Sequence, residues 1–206
     1  MFNERRSIVK TDPVIQVRSM KIEQRTIVDA ALGILDDEGF KSLNMRRLAE
    51  RLGVQASALY WHVRGREELI GLMAASFYAR AFREAPQGEG WRAWLRGYGH
   101  AFHASLLGHR DSAHLCALAR PNNQDPEAMD RLAGPLVAAG LSRRTALSYQ
   151  ASVISLALGW AVYEQSPAMH AHLAKVISFD ESFAIGLDAI VAGFPEPATR
   201  GDMAPS

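Results

Sequence analysis

Apolar positions in the first third of the chain recur at helical spacing. Ile27, Ala30, Ala31, Ile34 and Leu35 fall at i, i+3, i+4, i+7 and i+8, which puts them on one face of a helix beginning near Lys21. Gly39 supplies its stop, and Phe40 can fold back onto it. Asn44 is a good N-cap for a short helix over 45–52, with Met45, Leu48, Ala49 and Leu52 inward. Gly53 follows where a tight turn needs positive φ, and Val54 is the apolar bridge. Residues 55–62 read as a second short helix, with Ala58 and Leu59 facing the first. A longer helix opens at Arg66, carries Leu69, Ile70, Leu72 and Met73 in its stripe, and runs to Phe82. Beyond the loop 86–90 the spacing predicts helices over 91–107, 111–118, 128–139, 142–164 and 180–192, with Gly140 and Pro167 as terminators. No run alternates as a strand would and no repeat is visible, so the fold class is all-α.

Two short helices joined by a Gly-containing turn form a helix-turn-helix pattern, which braces one helix so that its exposed end can enter a major groove. Charge strengthens that reading. The 206 residues hold 23 Lys/Arg against 22 Asp/Glu, a net +1, but the balance is uneven. Residues 1–66 carry 12 Lys/Arg against 8 Asp/Glu and the remainder 11 against 14. Arg46, Arg47, Arg51, Arg64 and Arg66 surround the motif, and cations near phosphates supply most of the affinity for DNA. With 48% hydrophobic and 22% charged residues the chain can bury a core. Residues 1–20 read as a flexible basic arm, 21–66 as the DNA-binding domain, 67–194 as a larger helical domain and 195–206 as a flexible tail.

The single cysteine, Cys116, excludes an intrachain disulfide and fits a reducing compartment. The N-terminus has no apolar core of a secretory signal. Residues 145–163 lack charge over a membrane-spanning length, but Thr145, Ser148, Gln150, Ser152 and Ser155 make a soluble, mostly buried helix the better reading. The expected location is the cytoplasm. Because 145–163 has no polar face, it and the 180–192 helix are expected to pair with their copies in a four-helix dimer interface, Ala151, Ser155 and Gly159 permitting close approach.

Other chemistries compete weakly. His100 and His103 are three apart on a helix and could share a metal with His109, His114 or Cys116, which keeps a metal-responsive regulator or a small all-α enzyme as the alternative. No ligand pair at fixed spacing supports a metal site, and H-E-x-x-H, G-x-S-x-G and a phosphate-binding Gly loop are all missing. The expectation is therefore no enzyme, no cofactor and no metal. Cys116 reads as an inert buried thiol, and His62 lacks the orienting acid a catalytic histidine needs. Trp91, Trp94, Tyr98 and Phe102 could be core or pocket.

Several segments together resemble the tetracycline-repressor (TetR) family of bacterial transcription factors. They are Ile27-Val28-Asp29-Ala30-Ala31, Gly39-Phe40, Arg46-Arg47-Leu48-Ala49, Leu52-Gly53-Val54 and Ala58-Leu59-Tyr60-Trp61-His62-Val63 in front. Gly90-Trp91, Phe102, Leu106-Leu107, His109-Arg110-Asp111, Arg120-Pro121 and the closing Phe183, Gly186, Leu187, Ile190, Gly193 and Phe194 continue it over roughly 21–194. The resemblance implies a homodimer that binds a pseudo-palindromic double-stranded operator, represses the adjacent promoter and is released by a small effector bound in the back domain. By position, Arg46 would read a base; Gln55, Ala56, Ser57, Ala58, Tyr60, Trp61 and His62 would present the recognition helix; Tyr60, His62 and Arg66 would mostly hold phosphates. Ala56 and Ala58 replace polar groups, so the operator sequence does not carry over.

The resemblance also places an effector pocket, and there the chain departs from the family. Cys116 stands at the position of a metal-ligating histidine, and Phe82, Tyr98, Ala119 and Leu132 stand where polar drug contacts are found. Phe102, Arg120, Pro121 and Glu164 are kept, the last where an acidic metal ligand stands. A thiol is a poor magnesium ligand, so a magnesium–tetracycline chelate is not the expected effector. These residues imply a hydrophobic or aromatic one instead.

Overall fold

The computed structural model describes residues 23–120 and 127–197. Within them every regular element is helical. The expected arm 1–20, Pro121 and the tail from 198 onward lie outside the described residues.

The front unit begins with α1 (Gln24–Glu38), which buries Ile27, Val28, Ala31, Ile34 and Leu35 and closes at Gly39 with φ 81°. A 3-10 turn (Phe40–Ser42) leads into α2 (Met45–Leu52). Asn44 caps α2 by accepting from the Arg47 N–H at 2.9 Å. Gly53 ends it in the left-handed region at φ 66°, a conformation that costs a side-chain-bearing residue dearly. α3 (Ala56–Leu59) is shorter than the 55–62 helix the pattern predicts. After Leu59 the chain tightens: the N–H groups of His62 and Val63 both donate to the Leu59 carbonyl at 2.9 Å, so 60–62 form a turn. Leu59 itself is fully buried and anchors α3 on α2.

α4 (Arg66–Glu84) leaves that turn and packs along α5 (Trp91–Leu107). α6 (Ser112–Leu118) is followed by α7 (Ala128–Ala138) and the long α8 (Arg143–Gln165). Pro167, expected only as a terminator, also opens α9 (Pro167–Leu173), where a residue without an N–H suits the first turn. α10 (Phe179–Gly193) closes the unit, its Ser178 cap accepting from the Glu181 N–H.

α8 is long and apolar enough to cross a membrane by length and composition. Here it packs against α5, α6, α7, α9 and α10 through Ala146, Gln150, Val153, Ala157 and Ala161. Its remaining face stays exposed at Ser148, Ser152, Ser155, Gly159 and Val162. Ala151, expected in that outward stripe, turns instead toward the cavity described below.

Candidate nucleic-acid interface and ligand cavity

The arginines of the helix-turn-helix divide into two groups. Arg47 pairs with Glu38 at 2.7 Å and with Glu50 at 3.3 Å; Arg51 pairs with Asp37 at 2.7 Å. These two brace α2 against α1, so the charge they add to the sequence count is largely spent inside the head. Arg46 differs: its side chain is 89% exposed and held only by Glu50 four residues on. Beside it α3 presents exposed Gln55 and Ser57, while Ala56 and Ala58 are half-buried. Tyr60, Trp61 and His62 stand out from the turn, Trp61 at 89% exposure. A nearly naked indole beside exposed cations makes a surface built to be covered.

Arg66, expected to hold a phosphate, is exposed but already engaged within the chain. Its Nε donates to the Leu43 carbonyl at 2.7 Å, a second nitrogen donates to the Phe40 carbonyl at 3.3 Å, and the guanidinium sits 4.6 Å over the Phe40 ring. It ties the start of α4 to the head. Arg64 is exposed; its backbone N–H donates to the Glu68 carboxylate at 2.5 Å, and no partner holds its guanidinium among the described residues. Of the arginines that surround the motif in sequence, it is one to which the resemblance gave no contact role, although it stands two residues after His62.

A cavity of about 600 Å³ opens between α4, α6, α7 and α8. Of the expected effector residues Phe82, Cys116, Ala119, Arg120 and Leu132 line it. Tyr98, Phe102 and Glu164 do not, and each has a physical reason. On α5, Trp94, Tyr98 and Phe102 lie four apart and face α4, where Tyr78 and Phe82 also lie four apart. Phe102 stacks on Tyr78 at 4.8 Å, and Trp94 meets Phe82 at 5.8 Å. Tyr98 sits between Trp94 at 5.2 Å and Phe102 at 6.3 Å. Tyr98 and Phe102 are thus fully buried backing, while Tyr78 is the aromatic face that the cavity sees. Burial raises Tyr78 to about 12 and Tyr98 higher still, and the Tyr98 hydroxyl and Trp94 Nε1 are buried without hydrogen-bond partners among the described residues.

Glu164 is engaged elsewhere. Its Oε1 lies 2.8 Å from His103 Nε2, both side chains nearly closed off, with the His103 ring stacked 4.0 Å from Phe183. Burial lowers His103 to about 4 and raises Glu164 from its ordinary value. The Cys116 thiol is pushed up to about 12 by burial and offers no thiolate at neutral pH. No three His, Cys, Asp or Glu side chains among the described residues converge to hold a metal. The residues present do not fit magnesium, and the expected alternative of a metal site around His100, His103 and Cys116 fails because His103 and Cys116 are committed to different places.

Head and cavity are joined. Asp111, at φ 54° the one non-glycine residue in the left-handed region among those described, accepts from the Phe40 N–H at 2.9 Å. Asp36 of α1 accepts from His109 Nδ1 at 2.9 Å and from the Arg110 N–H at 3.0 Å. The loop that starts α6 therefore grips the head, and the far end of α6 forms cavity wall.

Known proteins agree with this arrangement. Residues 27–73 match the model for bacterial regulatory proteins of the tetR family, and residues 84–176 match a tetracyclin repressor-like C-terminal domain. The chain is 34% identical over 148 residues to the class A tetracycline repressor protein from transposon 1721 of Escherichia coli, covering 71% of this chain and 68% of that one. Among solved structures it is similar to TetR class A in complex with 5a,6-anhydrotetracycline and magnesium, with 32% identity, TM-score 0.65, and 82% and 95% of the two chains covered. It is also similar to BioQ with its double-stranded DNA operator, with 31% identity, TM-score 0.62, and 84% and 98% covered.

Proposed function

The chain belongs to the tetR family of bacterial regulatory proteins, and on that premise we propose that its head and its cavity are the two ends of one operator switch. It is a ligand-responsive, DNA-binding transcriptional repressor rather than an enzyme. It acts as a homodimer on a pseudo-palindromic operator in the cytoplasm. Arg46 reads a base edge from the major groove, where a guanidinium can pair bidentately with guanine. Gln55, Ser57, Tyr60, Trp61 and His62 complete the contact, and Arg64 takes the phosphate role that Arg66, tied to the Leu43 and Phe40 carbonyls, leaves open.

The observation that carries this reading is the continuity of α4. It starts at Arg66, directly after the recognition turn, and between Gly71 and Arg83 it forms one wall of the cavity. A ligand shifts an equilibrium only by its differential affinity for two conformations. An effector wedged between α4 and α6 favours the arrangement in which α4 has tilted, which spreads the two recognition turns of a dimer away from the groove spacing. A hundredfold loss of operator affinity needs about 2.7 kcal/mol of such preference. A mostly apolar cavity faced by Tyr78, Phe82 and Leu132 suits a hydrophobic or aromatic effector.

A mobility-shift assay on the intergenic DNA flanking the gene tests this, followed by titration of the complex. A discrete shift that apolar aromatic compounds reverse is expected, while tetracycline with magnesium leaves the complex intact. Absence of any shift, or release by the magnesium–tetracycline chelate at micromolar concentration, would overturn the reading.

A further inference from the structure

The charged groups that line the cavity are all of one sign among the described residues. Among the described residues Arg83, Arg120 and Arg131 line it, and no Asp, Glu, Lys or His does. Two of the three already have acidic neighbours: Arg120 lies 3.2 Å from Glu67 and Arg131 lies 4.0 Å from Glu127. Arg83 has no ion-pair or hydrogen-bond partner among the described residues. It stands in the last turn of α4, exposed, next to Phe82.

Deeper in, two neutral polar groups are fixed. Gln150 is buried and lines the cavity, and its Nε2 donates to the Leu132 carbonyl, which leaves its Oε1 free to accept. Tyr78 lies flat on Phe102, at 4.8 Å and 11° between rings, and keeps its proton, so its hydroxyl is a donor. The remaining wall is Ala, Leu, Ile, Met and Phe apart from Gly71 and Cys116.

We propose that the effector is an aromatic acid whose ring system lies between Tyr78, Phe82, Leu132 and Ile154 and whose carboxylate pairs with Arg83. The inference rests on the cavity being the effector site. A cationic compound meets three guanidiniums, and the carboxylates near two of them, Glu67 and Glu127, are already paired with Arg120 and Arg131. A neutral one fills the apolar wall and leaves Arg83 as it was. A carboxylate gains a charge-assisted, potentially bidentate pair, and because Arg83 sits at the mouth the anion is paired without being fully dehydrated.

Calorimetric titration of the full-length protein decides this, using naphthalene and biphenyl bodies, each as carboxylate, primary amide and methylammonium. For at least one body the carboxylate binds about tenfold or more tighter than the amide, and the ammonium binds weakest. Arg83→Gln removes the preference for the acid, Arg83→Lys retains part of it, and Ala79→Trp, which fills the cavity, abolishes binding. Equal binding of amide and acid on both bodies overturns the anionic assignment and leaves the cavity reading standing. A preference that survives Arg83→Gln overturns the role of Arg83. Failure of every head group to bind, or binding that survives Ala79→Trp, overturns this inference together with the placement of the effector site.

Discussion

Cys116 shows how much a single position carries. Its place in the pocket came from the resemblance, which sets it where the family has a metal-ligating histidine, and it does line the cavity. Its state comes from burial, which raises the thiol from 9.0 to about 12. The thiolate is the reactive form, so at pH 8 roughly one thiol in ten thousand is ionised, against about one in ten for an unshifted cysteine. Alkylation of the native protein by iodoacetamide is therefore expected to run about a thousandfold slower than of the urea-unfolded chain, rising tenfold per pH unit. The linkage sign follows: a folded pKa above the unfolded one gives stability that is whole below about pH 9 and drains as pH climbs toward 12. Tyr78, raised from 10.0 to about 12, adds to the same alkaline loss. Urea midpoints that hold steady between pH 8 and pH 11, or native alkylation at the unfolded rate, would contradict this. Other residues were harder to place. Tyr98 and Phe102 share a helical face with Trp94, and spacing cannot tell the lining of a cavity from the layer behind it. Tyr78, which lines the cavity with Phe82, was missed although it lies four residues before Phe82, the interval that shares a helix face.

Elements were legible where a local signal fixed them and less so where tertiary contact did. Asn44 and Gly53 bound α2 to the residue, since a cap and a left-handed turn are properties of short segments. The recognition segment is shorter than its pattern because the chain must turn at 60–62 to bury Val63 and launch α4. α9 was hidden by Pro167, which ends one helix and begins another equally well. The connection of α6 to the head lay wholly beyond sequence reading, since Asp111 and Phe40 are 71 residues apart. That connection makes a prediction. Asp111→Ala removes the acceptor of the Phe40 N–H and places a less tolerant residue at φ 54°, while Asp111→Asn keeps both an acceptor oxygen and tolerance of that conformation. The alanine variant should lose about 1–3 kcal/mol in urea unfolding and the asparagine variant much less. Effector should still bind the alanine variant, but release from the operator should require more of it, because the α6 wall no longer pulls on the head. Equal release curves for the two variants would mean that α4 alone carries the signal.

At the scale of the whole molecule the exposed surface of α8 and α10 dictates assembly. Ser148, Ser152, Ser155 and Gly159 line one side of α8, followed by Val162 and Tyr163, each 46% exposed. Ile185 of α10 is 70% exposed. A Cβ added at Gly159 would touch nothing within 4 Å in the single chain, so the space beside it is free for another helix. Small residues with adjacent apolar side chains permit close helix approach, and a second copy related by a two-fold axis would bury the same patch on both partners. Sedimentation should therefore give a particle of twice the 22.6 kDa chain mass. Ile185→Glu places a carboxylate in that patch, and in a symmetric pair it does so twice, at a cost no apolar contact offsets. The variant should sediment as a single chain while keeping its helical circular dichroism, since Ile185 is not part of the core within one chain. Its operator affinity should fall by about a hundredfold or more, because a tethered second head binds its half-site at an effective concentration that a free one cannot match. A half-site oligonucleotide separates the causes: wild type and variant should bind it equally, the heads being unchanged. An Ile185→Glu dimer with full operator affinity would show that the chain pairs through another face and that the uncharged side of α8 serves a different partner.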